Sequence, residues 1–439
     1  SIRDAATVYH APVGCSVMST GYREIFRQIP IQWRNTPVNP RWISSNLGEN
    51  DIVYGGADKL KSAIREINKR ANPRSIFVLT SCTSGIMGDD IEGIVSEIQP
   101  EIKAKIVPIH CEGFRSQLMQ TGYDAIWHAV LKYLVKKPEK KQEDLVNVIG
   151  VSIQNTWLDR QEINRLFGKL GLRANFVPEY AVTEQFETLS EAAVSAAFCP
   201  SLTDYLLKGL KQEYGIPYVR TPIPLGIKNT GNWLRKIAEY TGKEHLVERV
   251  MDEEEARILP QLNALREEFK KIKGNGQRPT ILEFSGQART LGGLSLSNEF
   301  GLEIIGAEVL EYDRLLYDDL KELYEQIGDF DIHVANLQSY EYSNVLERTK
   351  PDLYPTCPFI GSVYKRDAPS VRHHSFRSDI TPYGPQIGFT GAIAYGNVLL
   401  RALKNKSLCK TLSKHTEKPY KDWWYKKENP ILYAPEAAK

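Results

Sequence analysis

The chain has 439 residues, 42% of them hydrophobic, with 56 basic and 54 acidic side chains for a net charge of +2. That content sustains a large buried core and two or three domains, as in a soluble globular protein. The charges are interspersed, so no nucleic-acid or membrane-surface partner is indicated, and no apolar run reaches the roughly 18 residues of a membrane span. The opening "SIRDAATVYH" has neither the basic nor the apolar stretch of a secretory leader, and the expectation is a cytoplasmic protein.

Along the chain, short apolar or β-branched runs alternate with segments of helical period. "SIFVLTSC" is followed by "DDIEGIVSEIQPEI", "AKIVPIHC" by "YDAIWHAVLKYLV" and "AAVSAAFC" by "PSLTDYLLKGLKQEYG"; "LVNVIGVS", "RPTILEF", "LEIIGAEV" and "DIHVANL" read as further strands. The pattern predicts an α/β fold of three Rossmann-like domains with parallel sheets. Boundaries are placed near the basic "VKKPEKKQE" loop and near "KKIKGNGQRP", giving 1–145, 146–276 and 277–405, with an extension over 406–439.

The six cysteines, Cys15, Cys82, Cys111, Cys199, Cys357 and Cys409, are widely spaced and form no CxxC pair. In a reducing compartment they are buried thiols, a catalytic thiolate or metal ligands. Ligands of open parallel sheets sit beyond the carboxyl ends of the strands. Cys82, Cys111 and Cys199 fall at such ends, and Cys15 follows the Pro/Gly turn of "YHAPVG", which lets backbone approach a bulky ligand. An inorganic site is therefore favoured over a lone nucleophile.

Competing motifs are weak. Gly55 and Gly56 precede a helix but lack the P-loop and dinucleotide signatures, and they read as a turn. Asp89 and Asp90 of "GDD" have the chemistry of a Mg²⁺ site, yet acids opening a helix are also favourable dipole partners. His373 and His374 are adjacent imidazoles beside Arg372 and Arg377, so at least one is expected neutral, as a metal ligand or a structural histidine.

"YHAPVGCS", "DIVYGGADKL", "SCTSGIMGDDIE" and "IVPIHCEGFRS", in that order, resemble the opening half of the α-type subunit of the nitrogenase component 1 family. The likeness continues through "AAFCPSLTDYLLKGLKQEYGIPYVRTPIPLGIKNTGNWLRKIAE" and "APSVRHHSFRSD". It implies parallel-sheet domains around a central metallocluster cleft. By the resemblance, Cys199 and His374 bind a large nitrogenase-type iron–sulfur cofactor, an iron-only form being among those allowed, and Arg23 and Arg289 face it. Cys15 and Cys111 match two cysteines of a relay cluster, like the P-cluster, at the interface with a β-type subunit. The third family cysteine lies N-terminal to the segment matching Ser1–Gly14, and Cys82 is left as structural. An α2β2 assembly and a separate ATP-dependent 4Fe–4S reductase protein are the implied partners.

The departures from the family point to the substrate. In the segment "SQLMQTGYDAIW", Gln120 stands for the family glutamine, while Tyr123 or Asp124 takes the place of a histidine over the reactive face. A family lysine that contacts the cofactor's organic acid is replaced by the stretch from Phe359 to Gly361, and Cys357 beside it is an extra ligand or a buried thiol. Scaffold members of the family generally lack the second, histidine ligand. The branch that best fits is the methylthio-alkane reductases, which cleave small sulfur substrates such as dimethyl sulfide. Dinitrogen reduction and cofactor-assembly scaffolding are the alternatives.

Overall fold

The structure is a computed structural model that describes residues 2–18, 41–116, 118–150, 156–334, 338–356, 370–372, 384–405 and 414. Arg23, His374, Cys357 and Cys409 lie outside the described residues. The chain divides into two compact units. One runs to Arg220 and adds Leu234–Glu248; the other contains Thr221–Trp233 and most of the chain from Arg249 onward.

The first unit begins with β1 (Ala5–His10), α1 (Val13–Met18), β2 (Trp42–Ser44), α2 (Glu49–Tyr54), α3 (Ala57–Ala71), β3 (Ser75–Thr80), α4 (Cys82–Met87), α5 (Ile91–Ile98), β4 (Lys105–Ile109) and α6 (Met119–Tyr133). It continues through β5 (Gln142–Ile149), α7 (Thr156–Leu170), β6 (Arg173–Val177), α8 (Thr183–Glu187), β7 (Ala192–Ala197), α9 (Asp204–Tyr214) and β8 (Tyr218–Val219). Two parallel sheets result, in the orders β2-β1-β3-β4 and β6-β5-β7-β8. A parallel pair needs a crossover, and the helices supply it while covering the sheet.

That cover explains the apolar runs. In β3, Ile76 and Val78 join a core with Leu60 and Ile64 of α3 and Ile91, Val95 and Ile98 of α5. Phe77 instead joins a second core with Trp127 and Val130 of α6, Ile149, Val177 and Leu206. Both faces of the strand are therefore buried. Residue 145, where the sequence places a boundary, falls inside β5; the strand starts with Gln142, Glu143 and Asp144, polar and incompletely buried residues that read as loop.

After α10 (Gly226–Thr241) and α11 (Glu244–Lys271), the second unit forms β9 (Thr280–Ser285), α12 (Gln287–Glu299), β10 (Glu303–Val309), α13 (Tyr317–Ile327), β11 (Ile332–Val334), α14 (Ser339–Thr349), β12 (Tyr354–Thr356), β13 (Ser370–Arg372) and α15 (Gly388–Lys404). The parallel order is β11-β10-β9, with a separate β12-β13 pair. Helix α12 is buried on nearly all sides, which small residues make possible. A Cβ at Gly292 would come within 2.4 Å of Ile223, and one at Gly293 within 2.9 Å of the Glu283 carboxylate. Among the described residues no helix is long and apolar enough to cross a membrane.

Candidate metallocluster sites

The first sheet brings three thiols to one edge. His10 of β1 pairs with Thr80 of β3, and Leu79 of β3 with Ile109 of β4, so the three strands end at one level. Cys15 lies in α1 beyond β1, Cys82 opens α4 beyond β3, and Cys111 follows β4. Cys82, read as structural from the sequence, thus stands between its two neighbours in strand order. Two features place it. Ser81 caps α4, accepting from the Ser84 N–H at 3.2 Å, and Gly113 sits close enough that its Cβ would meet the Cys82 sulfur at 3.5 Å.

The three thiols differ in environment. Cys15 and Cys82 are exposed, whereas Cys111 is partly buried and donates from sulfur to the Thr80 carbonyl at 3.3 Å. Burial, aided by the Glu112 charge, pushes the Cys111 thiol up to about 11. At pH 8 on the order of one Cys111 thiol in a thousand is then ionised, and only the thiolate is nucleophilic. Iodoacetamide added to the metal-free chain is expected to alkylate Cys15 and Cys82 first. Peptide mass spectrometry checks the order, and preferential labelling of Cys111 would contradict it.

The "GDD" segment has structural partners. Buried His10 reaches Asp89 Oδ2 through Nε2 at 2.8 Å and Ser45 Oγ through Nδ1 at 3.0 Å. Asp89 also accepts the Gly56 N–H at 3.2 Å, and Asp90 caps α5 through the Gly93 N–H at 3.0 Å. At Gly56 a Cβ would sit 2.6 Å from Leu47 and 2.8 Å from His10, so only glycine lets the turn close on this network.

Cys199 follows β7 in extended backbone and precedes a 3₁₀ turn, Pro200–Leu202; the helix proper, α9, starts at Asp204. The Cys199 carbonyl accepts from the Leu202 N–H at 3.1 Å and from Thr203 Oγ1 at 3.0 Å. These bonds hold the thiol at the carboxyl edge of the second sheet. Trp127 of α6, 1% exposed, donates its indole N–H to the Leu202 carbonyl at 2.7 Å. Gln120, Tyr123 and Asp124 precede Trp127 on α6 at spacings of seven, four and three residues, which share one helix face. The fold therefore connects these candidate catalytic residues to the Cys199 turn. The amide oxygen of Gln120 is buried with no hydrogen-bond partner.

In the second unit, Arg289 on α12 donates to Gln386 Oε1 at 3.0 Å. Both line a small pocket with Leu225, Gly293, Leu296 and Tyr395. Burial pushes the Tyr395 phenol well above its ordinary range, and the Glu283 charge acts in the same direction.

Thiolates are the ordinary protein ligands of iron–sulfur groups. Exposed Cys15 and Cys82, and Cys199 at its strand end, fit that chemistry. Among the described residues no three His, Cys, Asp or Glu side chains converge on one metal position.

A parallel α/β protein that presents thiols on the ligand-binding edges of two sheets has the architecture of a redox protein with inorganic groups. The chain belongs to the nitrogenase component 1 type oxidoreductase family, whose model matches residues 1–404. It is 28% identical to the nitrogenase molybdenum-iron protein alpha chain of Methanosarcina barkeri over 458 aligned positions, covering 92% of this chain and 83% of that one. It is 26% identical to the nitrogenase iron-molybdenum cofactor biosynthesis protein NifE of Methanococcus maripaludis over 355, covering 80% and 71%. The solved structure of nitrogenase Cp1 at pH 5 superposes with a TM-score of 0.75 at 23% identity over 96% of this chain and 88% of that one, so the fold is shared.

Proposed function

We propose that the chain is the catalytic α-type subunit of a nitrogenase-like reductase that cleaves C–S bonds of small methylthio-alkanes. Dimethyl sulfide and 2-methylthioethanol are the expected substrates, with methanethiol and a hydrocarbon as products. The overall changes, CH₃–S–CH₃ + 2 e⁻ + 2 H⁺ → CH₄ + CH₃SH and HOCH₂CH₂–S–CH₃ + 2 e⁻ + 2 H⁺ → CH₂=CH₂ + H₂O + CH₃SH, need electrons and protons brought to one enclosed place. An ATP-dependent 4Fe–4S reductase protein delivers the electrons, and a β-type subunit completes an α2β2 assembly. The bound iron–sulfur groups supply electron storage and the bond chemistry.

The observation that carries this reading is the Cys199 turn, tied by Trp127 to the α6 face that bears Gln120, Tyr123 and Asp124. Cys199, with His374, anchors the cofactor, and its backbone bonds fix where the sulfur sits. The buried Gln120 amide oxygen is an acceptor available to a substrate or bound group, while Tyr123 and Asp124 are the side chains on that face able to exchange protons. Arg23 and Arg289 carry permanent positive charge suited to an anionic, sulfide-rich group. Cys15 binds the relay cluster. Cys82 and Cys111, each two residues past the neighbouring strands β3 and β4, join it as ligands from this edge; metal binding deprotonates a coordinating thiol, so the raised Cys111 thiol of the metal-free chain does not oppose this.

Two experiments test this. The complex, supplied with reductase protein, ATP and a strong reductant, is expected to release methanethiol from 2-methylthioethanol; ammonia from dinitrogen without methanethiol would sink the substrate assignment. For the relay site, Cys82→Ser and Cys111→Ser are each expected to lose most of the relay-cluster signal while the protein stays folded. Full relay-cluster signal in either variant would remove that thiol from the ligand set.

A second reading is favoured by the likeness to the NifE protein. A cofactor-assembly scaffold would pass iron–sulfur cluster to an acceptor protein and turn over no sulfur substrate.

A further inference from the structure

Strands β6 and β7 flank β5 in register, Ile149 pairing with Val177 on one side and Ala197 on the other. Two hydrogen bonds extend this ladder beyond the strands: Gly150 N–H to the Val177 carbonyl at 2.9 Å, and Phe198 N–H to the Ile149 carbonyl at 2.9 Å. Glu179 and Cys199, each two residues past its ladder residue, leave the sheet at the same edge. Two strand spacings, roughly 10 Å, separate the strands that carry them.

Glu179 is 7% exposed, and its Oε2 has no hydrogen-bond partner. Buried carboxyl oxygens are ordinarily satisfied, so an orphan at a ligand edge asks for a function. Arg160 of α7, 6% exposed, directs its Nη2 to the backbone carbonyl of Glu179, not to the carboxylate, and its guanidinium lies 4.8 Å from the centre of the Phe176 ring. Arg160 is the positive charge of α7 that acts on the carboxylate, and Arg3 stacks 4.9 Å from the adjacent Tyr180 ring. Asp159, beside Arg160, is a second buried acid. Burial outweighs the Arg160 charge and pushes the Glu179 carboxyl up to about 7.

We propose that Glu179 is the internal proton carrier for reduction at the Cys199 edge, an assignment that rests on the reading of Cys199 as a cofactor ligand. In each cycle its carboxylic O–H bond breaks toward the site, and solvent reprotonates the carboxylate. Two cycles supply the two protons of C–S cleavage; the two electrons come from the iron–sulfur reductase protein. A carrier titrating near the working pH is effective in both directions.

Infrared difference spectra of the wild-type complex between about pH 6 and about pH 8 are expected to show a carboxyl signal that Glu179→Gln abolishes. Glu179→Gln should lower methanethiol release about tenfold or more at unchanged iron content and EPR spectrum, and Glu179→Asp should restore most of the rate with a shifted pH profile. A Gln variant with wild-type rate and pH profile would overturn the proposal. So would the absence of a titrating carboxyl removed by the substitution, or loss of iron in both variants, which would assign Glu179 a structural role. A wild-type complex without cofactor signal overturns the Cys199 reading instead; the infrared signal, which needs no cofactor, separates that failure from one at Glu179.

Discussion

Cys199→Ala protein, purified anaerobically with its partner subunit, is expected to lose nearly all of the large cofactor while keeping the relay-cluster signal. The asymmetry follows from where the thiols lie. Cys199 follows β7 of the second sheet, whereas Cys15, Cys82 and Cys111 follow β1, β3 and β4 of the first. Alanine removes the sulfur and leaves the backbone bonds of the turn, from Leu202 N–H and Thr203 Oγ1, in place. The protein should therefore fold normally, and circular dichroism should not distinguish it from wild type. Iron analysis with EPR reads the result. A variant that retains stoichiometric cofactor would remove Cys199 from the ligand set.

Trp127 gives the second large effect. Its indole is buried in the core between the two sheets of the first unit, so Trp127→Ala should cost about 3–5 kcal/mol of stability through lost contacts and the cavity left behind. Trp127→Phe keeps most of the packing but leaves the Leu202 carbonyl without its 2.7 Å donor, a loss of about 1–3 kcal/mol. Urea unfolding measures both. Because that bond joins α6 to the turn after Cys199, the Phe variant should also bind cofactor less tightly than its stability loss explains. Full cofactor retention in the Phe variant would show that the tie does not position the site.

The fold was legible where burial is one-sided in no direction. Runs such as "SIFVLT" and "AAVSAA" are mostly apolar and buried nearly throughout because helices cover both faces of their sheets, and near-continuous hydrophobicity is what sequence shows best. The elements that escaped are those with alternating or polar strands. β1, "AATVYH", buries every second residue, and one of these is His10, held by Ser45 and Asp89. β6, "RANFV", starts with an exposed arginine.

The site was legible in the same uneven way. Cysteines at strand ends could be listed from sequence, but which strands are neighbours could not. Cys15 and Cys82 adjoin only because β1 inserts between β2 and β3, a non-local pairing. One local signal was available: Cys82 lies two residues past its strand, as Cys111 and Cys199 do past theirs. Glu179 carried no signal at all. A single acid after a short strand is ordinary in sequence, and its burial comes from tertiary packing that brings Arg160 of α7 to its backbone carbonyl.

The central claim is that this chain holds a reducing iron–sulfur cofactor between a thiolate and an imidazole. Metal and acid-labile sulfide analysis with EPR, on the anaerobically purified complex and on its His374→Ala variant, tests it most directly. Abundant iron without stoichiometric molybdenum or vanadium, and a cofactor signal altered by the substitution, are expected. Little iron, or a spectrum indifferent to His374, would contradict it.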